Sequence, residues 1–158
     1  MTIEGGAPPR DYEEALRALG LIFDEGNFSD VMVVELSSGF GVTALRHDGD
    51  LLDAGAEGHY RLIETHFSDE EVAEASMKGS GHRGTRHRAN RNEQAFRVLG
   101  RYIVRVGGSH VMIVDQGDSF LLRMLMEGEQ DMPHRFLTIS SSQLEVLRVE
   151  AQRERGGG

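Results

Sequence analysis

The fold is decided by two related stretches of the chain, YEEALRALGLIFDEGNFSDVMVVELSSGFGVTALR at residues 12–46 and NEQAFRVLGRYIVRVGGSHVMIVDQGDSFLLRMLM at residues 92–126. They align without a gap at a constant offset. Identical pairs include Glu13/Glu93, Arg17/Arg97, Gly20/Gly100, Met32/Met112 and Phe40/Phe120. Repetition of this kind is typical of an architecture built by internal duplication.

Each stretch has the pattern of a helix followed by a β-hairpin. Apolar residues first recur at helical spacing, after Asp11 with Glu14 in one stretch and Asn90 with Glu93 in the other, which are capping-box spacings. Two runs rich in β-branched residues then flank a short turn. We predict hairpin strands at 31–36 and 40–46 in the first stretch, and at 111–116 and 120–126 in the second.

The pattern continues beyond the hairpins. Third strands are predicted at 60–67 and 135–139, followed by helices at 69–77 and from 141 to about 153. Ser68 with Glu71 and Ser140 with Gln143 have capping-box spacing at the start of these helices. The predicted fold is therefore α+β, two α-β-β-β-α units related by a pseudo-two-fold axis, with antiparallel sheets and helices packed on one face.

The predicted organisation has five parts, in which the two units share one globular domain. They are an N-terminal tail (1–10), a first unit (11–77), a flexible basic linker (78–90), a second unit (91–153) and a glycine tail (154–158). Gly20 and Gly100 fall inside the first helix of each unit, where glycine lowers helix stability. We expect each of these helices to pass close to another backbone at its glycine.

Composition narrows the function classes. The chain has 158 residues, no cysteine and a net charge of −9, which argues against a general nucleic-acid binder. The sequence contains no apolar run long enough to span a membrane and no secretory signal, so we expect a cytoplasmic protein. It predicts no cofactor and no metal site, and the acidic segment 47–57 is interpreted as a solvated loop.

The linker is basic and has no large apolar residue. Its arginines, Arg83, Arg86 and Arg88, could bind phosphate or RNA, because arginine pairs with phosphate through two hydrogen bonds. The simpler interpretation is a solvated connector between the two units.

The second strand of the second hairpin, Phe120–Met126, is apolar at nearly every position. It is either covered on both faces or exposes a patch of leucine and methionine that binds a partner. The candidate partner surface is Leu122, Met124 and Met126, with a protein partner or a second copy as the occupant.

Three functional hypotheses remain open at this level. The first is a non-catalytic protein-interaction module, because the acidic α/β-hairpin build resembles in class the small bacterial secretion chaperones and suggests a chaperone- or adaptor-like role. The second is binding of phosphate or RNA by the linker. The third is an enzyme with a site between the halves, formed by groups such as His66, His134 and Arg135.

Overall fold

The structure is a computed structural model that describes residues 10–47, 60–78, 91–126 and 134–157. The first half of the chain forms α1 (Tyr12–Gly26), β1 (Phe28–Leu36), β2 (Gly39–His47), β3 (Tyr60–Ser68) and α2 (Asp69–Lys78). The second half forms α3 (Arg91–Val106), β4 (Gly108–Asp115), β5 (Ser119–Met126), β6 (His134–Ser140) and α4 (Ser141–Gly157). The predicted α+β class is confirmed, although α4 continues past Arg153, where we expected it to end.

The six described strands form one antiparallel sheet in the order β3-β2-β1-β4-β5-β6. Both predicted hairpins are present, β1 with β2 and β4 with β5. The halves meet through the first strand of each, because β1 pairs with β4 and Val33 lies opposite Ile113. Three strands from each half thus complete a single sheet, which is wide enough to support a core.

Helices α1 and α3 lie side by side and antiparallel on this sheet. A Cβ atom added to Gly20 would lie 2.3 Å from the carbonyl oxygen of Asn92, and one added to Gly100 would lie 2.2 Å from that of Tyr12. Each glycine therefore sits against the first turn of the other helix, where no side chain fits. The close backbone approach expected at Gly20 and Gly100 is confirmed.

One hydrophobic core lies between the helices and the sheet and draws on both halves. Its centre is aromatic: the rings of Phe23 and Phe96 are 5.4 Å apart, and those of Phe96 and Phe120 are 5.6 Å apart, both edge to face. Each fully buried side chain of this size contributes about 1.5–3 kcal/mol. Every described helix contributes to this layer, because Val72 of α2 is part of the core and Leu144 of α4 packs against it.

The start signals of α1, α2 and α4 form as the sequence predicts. The Asp11 carboxylate accepts the Glu14 N–H at 3.2 Å and caps α1. Ser68 and Glu71 form a reciprocal capping box at α2, and Ser140 and Gln143 form another at α4. Asn90 lies outside the described residues. No helix in the described part of the chain is both long and apolar enough to cross a membrane.

Candidate functional site: the open face of the sheet

The face of the sheet that points away from the helices is the largest surface that no described helix covers. Strand pairing arranges its side chains in two rows that cross all six strands. The first row is Glu64, Thr43, Met32, Val114, Leu121 and Thr138. The second row is His66, Gly41, Val34, Met112, Arg123 and Phe136. We call this surface the open face.

The centre of the open face is apolar. Five partly exposed apolar side chains lie on the strands around the pairing of β1 with β4: Met32, Val34, Met112, Val114 and Leu121. Large apolar side chains also stand at the two edges, where Leu62 of β3 is 65% exposed and Phe136 of β6 is 62% exposed. A contiguous apolar surface of this kind marks an interaction site more often than scattered single residues do.

Charge is sparse in the two rows. Their only formally charged members are Glu64 on edge strand β3 and Arg123 on β5. Arg123 lies between Met112 and Phe136, and its Nε is buried with no hydrogen-bond partner in the described part of the chain. A buried polar hydrogen without an acceptor is unfavourable. Arg123 as a whole is partly exposed on the open face, so its guanidinium can pair with a carboxylate of another molecule.

The three residues predicted to form a partner surface point the other way. Leu122 and Met124 are fully buried and Met126 is 7% exposed, and all three belong to the core under the helices. They are core residues in the folded chain and cannot be a surface. The exposed side of β5 is instead Leu121, Arg123 and Leu125, which lie on the open face.

The residues suggested for a site between the halves are not brought together. His66 lies on β3, while His134 and Arg135 lie on β6, and these strands are the opposite edges of the sheet. Four strands separate them, which corresponds to roughly 24 Å at the usual strand spacing. A site that combines them is excluded by the strand order, because the halves join through β1 and β4.

The remaining candidate sites are the arginines of the linker, the acidic segment 47–57 and any metal site. Arg83, Arg86 and Arg88 fall outside the described residues, as does most of the acidic segment 47–57. Among the residues that the structure describes, no cluster of three or more His, Asp or Glu side chains could hold a metal ion.

Two ion pairs link α1 and α3 in a reciprocal way. Arg17 of α1 binds Glu93 of α3 at 2.7 Å, and Arg97 of α3 binds Glu13 of α1 at 3.1 Å. The first pair is nearly buried and the second is partly exposed. The alignment of the two stretches equates Glu13 with Glu93 and Arg17 with Arg97, so the two ion pairs correspond to each other. They hold the helix layer together and are structural in role.

Asp24 near the end of α1 caps the start of α3. Its carboxylate accepts the backbone N–H groups of Asn92 at 3.0 Å and Glu93 at 2.9 Å. Burial raises the pKa of Asp24 to about 6, although these hydrogen bonds partly oppose the rise. The first turn of α3 is thus stabilised by a residue distant in sequence.

A second network anchors the start of α1 to the sheet. The Tyr12 hydroxyl donates to the Glu35 carboxylate at 2.9 Å, and Arg10 forms an ion pair with the same group. Glu35 also accepts the Val111 N–H at 3.0 Å. The N–H lies just after the β4 bulge at His110, where the backbone φ is 52°. The contacts that Glu35 makes with the described residues are internal, so this largely buried carboxylate serves the fold.

Two shallow clefts flank α4. One is apolar, with Tyr102, Leu137, Ile139 and Leu147 among its lining residues, and the other carries Arg91 and Arg148 at its rim. Arg148 pairs with Glu145, and Arg91 pairs with Asp115. In the second cleft the Ser141 hydroxyl donates to the backbone carbonyl of Asp118, and the Glu145 carboxylate is held by Arg148, so the two are not arranged as nucleophile and base.

Sequence reasoning missed the open face of β5, although a signal was present. Phe40, Val42 and Ala44 of the first half alternate as the inward set, and their aligned partners are Phe120, Leu122 and Met124. Arg123 falls in the other set, which identifies that set as the outward one. The alignment of the two halves therefore indicates which side of β5 faces the core.

No protein-family model, curated protein or solved structure matches the chain.

Proposed function

We propose that this chain is a cytoplasmic, non-catalytic protein-interaction module that binds a partner on the open face of its sheet. The partner is a protein that presents an apolar surface with a carboxylate to this face. One observation carries the proposal: no described helix covers one face of the six-stranded sheet, and the partly exposed Arg123 stands among the apolar residues of that face.

The chemistry of the face favours protein over small-molecule substrates. Its centre is apolar and extended, and methionines at Met32 and Met112 can adjust to differently shaped partners. Arg123 adds direction, because its partly exposed guanidinium can form a charge-assisted hydrogen bond with a carboxylate of the partner. An adaptor- or chaperone-like role is consistent with this combination.

We further infer that the scaffold arose by duplication of an α-β-β-β-α unit, so that it resembles a fused homodimer. The reciprocal contacts support this inference: Arg17–Glu93 is matched by Arg97–Glu13. The backbone repeats as well, because the aligned residues Asp30 and His110 both have positive φ, at 51° and 52°. Isologous contacts of this kind are typical of two-fold interfaces.

Peptide selection tests the proposed function. Displayed ten-residue peptides are panned on the full chain, and the affinities of those selected are measured for wild type, Leu121→Ser and Val104→Ser. Val104 is the matched control, since it is an exposed apolar residue on α3, away from the open face. We expect apolar peptides that contain Asp or Glu, at least about tenfold weaker binding to Leu121→Ser and unchanged binding to Val104→Ser. Equal binding to wild type and Leu121→Ser would contradict the proposal.

The basic linker offers a separate hypothesis. Phosphate or RNA binding by Arg83, Arg86 and Arg88 stays a prediction, since no observation on the described residues bears on it.

A further inference from the structure

We propose that the occupant of the open face is a second copy of this chain, packed sheet against sheet. The inference rests on the proposed function, because it names the partner of the same surface. It follows from the size of the face, from its charge pattern and from the way a two-fold axis would bring the open faces of two copies together.

The size of the face suits a stable dimer. Six strands of about seven residues cover roughly 600–700 Å² of flat sheet at the usual strand spacing and rise. Side-chain relief makes the true surface larger, and a standard protein interface covers about 800 Å² on each partner. A second copy would therefore bury the face almost completely, including the edge residues Leu62 and Phe136, which are otherwise more than half exposed.

The charge pattern selects the orientation. With a two-fold axis along the strands, between β1 and β4, the strand order of the second copy runs opposite to that of the first. β3 of one copy then lies over β6 of the other, beside β5. Glu64 on β3 thus approaches Arg123 on β5 of the second copy, and the same pair forms again across the axis. The copy supplies the carboxylate that Arg123 is suited to bind.

Alternative orientations are less favourable. A two-fold axis across the strands would set β3 over β3 of the second copy and bring the two Glu64 side chains together, while both arginines would lack an acceptor. Like charges that face each other in an interface oppose association. Sheets that pack face to face lie about 10 Å apart with their strands nearly aligned, a distance that a long arginine can bridge.

Sedimentation equilibrium of the full chain tests the proposal. Measurements run from about 1 to about 100 μM, and at about 0.15 M salt, so that the net charge of −9 is screened. We expect wild type to approach twice the 17.5 kDa chain mass. Arg123→Glu and Glu64→Arg should each weaken the dimer at least about tenfold, because each creates two like-charge contacts.

Mixing the two single variants gives the sharpest result. In a heterodimer of Arg123→Glu with Glu64→Arg, both contacts again join opposite charges, so we expect a 1:1 dimer where neither variant alone forms one. The double variant should likewise recover the homodimer. Thermal unfolding of each variant at low concentration verifies that the charges have not disturbed the monomer.

The outcomes separate this inference from the proposed function. A wild-type chain that stays monomeric at the highest concentration but binds the selected peptides would overturn the second copy and leave the proposed function standing. A monomeric chain that enriches no peptide would overturn both. A dimer that is indifferent to Arg123→Glu and Glu64→Arg would also overturn the proposed packing.

Discussion

Asp24 illustrates at the residue scale how one carboxylate can serve an element far away in sequence. It belongs to α1 but accepts two N–H groups from the first turn of α3. A local reading of the sequence assigns the start of α3 to Asn90 and Glu93. The Glu93 carboxylate is instead bound to Arg17 in a nearly buried ion pair. A cap supplied by another helix leaves no spacing signal, so the sequence could not predict it.

The raised pKa of Asp24 predicts a pH dependence of stability. An acid whose folded pKa, about 6, exceeds its ordinary value of 3.8 holds its proton more tightly in the folded state. Its stabilising contribution is complete below pH 3.8 and is lost as the pH rises through 6. We therefore expect the free energy of unfolding of Asp24→Asn, relative to that of wild type, to increase as the pH rises from 3.8 to about 6.

Urea unfolding of both proteins at several pH values measures this difference. Glu71→Gln, which removes an exposed carboxylate at the start of α2, is the control and should not reproduce the change. Parallel pH profiles for wild type and Asp24→Asn would show that the carboxylate titrates at its ordinary pKa.

At the element scale, the sequence predicts which segments are helices and strands more fully than it predicts how they face. Period-two alternation locates β2 and its inward residues Phe40 and Val42, because one face of that strand is partly solvated. In β5 both faces are apolar, so the alternation that orients a strand is nearly absent. The sequence therefore predicts Leu122 as part of a partner surface, whereas the structure places it on the buried side of β5.

The strand order was also beyond local reasoning. Hairpins follow from short turns, but the pairing of β1 with β4 joins strands that are far apart in the chain. Pairing at such a distance depends on how the helices pack. The sequence predicts that Gly20 and Gly100 contact another backbone, but it does not predict which segment each of them contacts.

Substitution of the two glycines tests this helix contact. Alanine in a helix interior normally stabilises relative to glycine by about 0.5–1 kcal/mol. At Gly20 and Gly100 the added methyl would overlap backbone at 2.3 and 2.2 Å, so we expect a loss of about 1–3 kcal/mol for each alanine variant instead. Chemical denaturation measures the change, with Gln94→Ala on the exposed side of α3 as the control. Stabilisation by Gly20→Ala or Gly100→Ala would mean that the helices are further apart.

At the scale of the whole molecule, the described helices bury one face of the sheet and do not cover the other. Joining the halves through β1 and β4 gives a six-stranded sheet, and the described helices all contribute to a single core on one side of it. The layer that would complete the other side is absent from the described residues. We propose that a second molecule supplies this layer.

The absence of cysteine from the chain allows a direct measurement of whether the open face is covered. Met112→Cys places a single thiol at the centre of the face, and Val104→Cys places one on α3 as the control. The rate of maleimide modification is measured from about 10 nM to about 100 μM protein, because interfaces of standard size have Kd values that range from picomolar to micromolar. We predict that the Cys at position 112 reacts progressively more slowly as concentration rises, while the control rate stays constant. A rate at position 112 that is independent of concentration and as fast as the control rate would contradict the proposal.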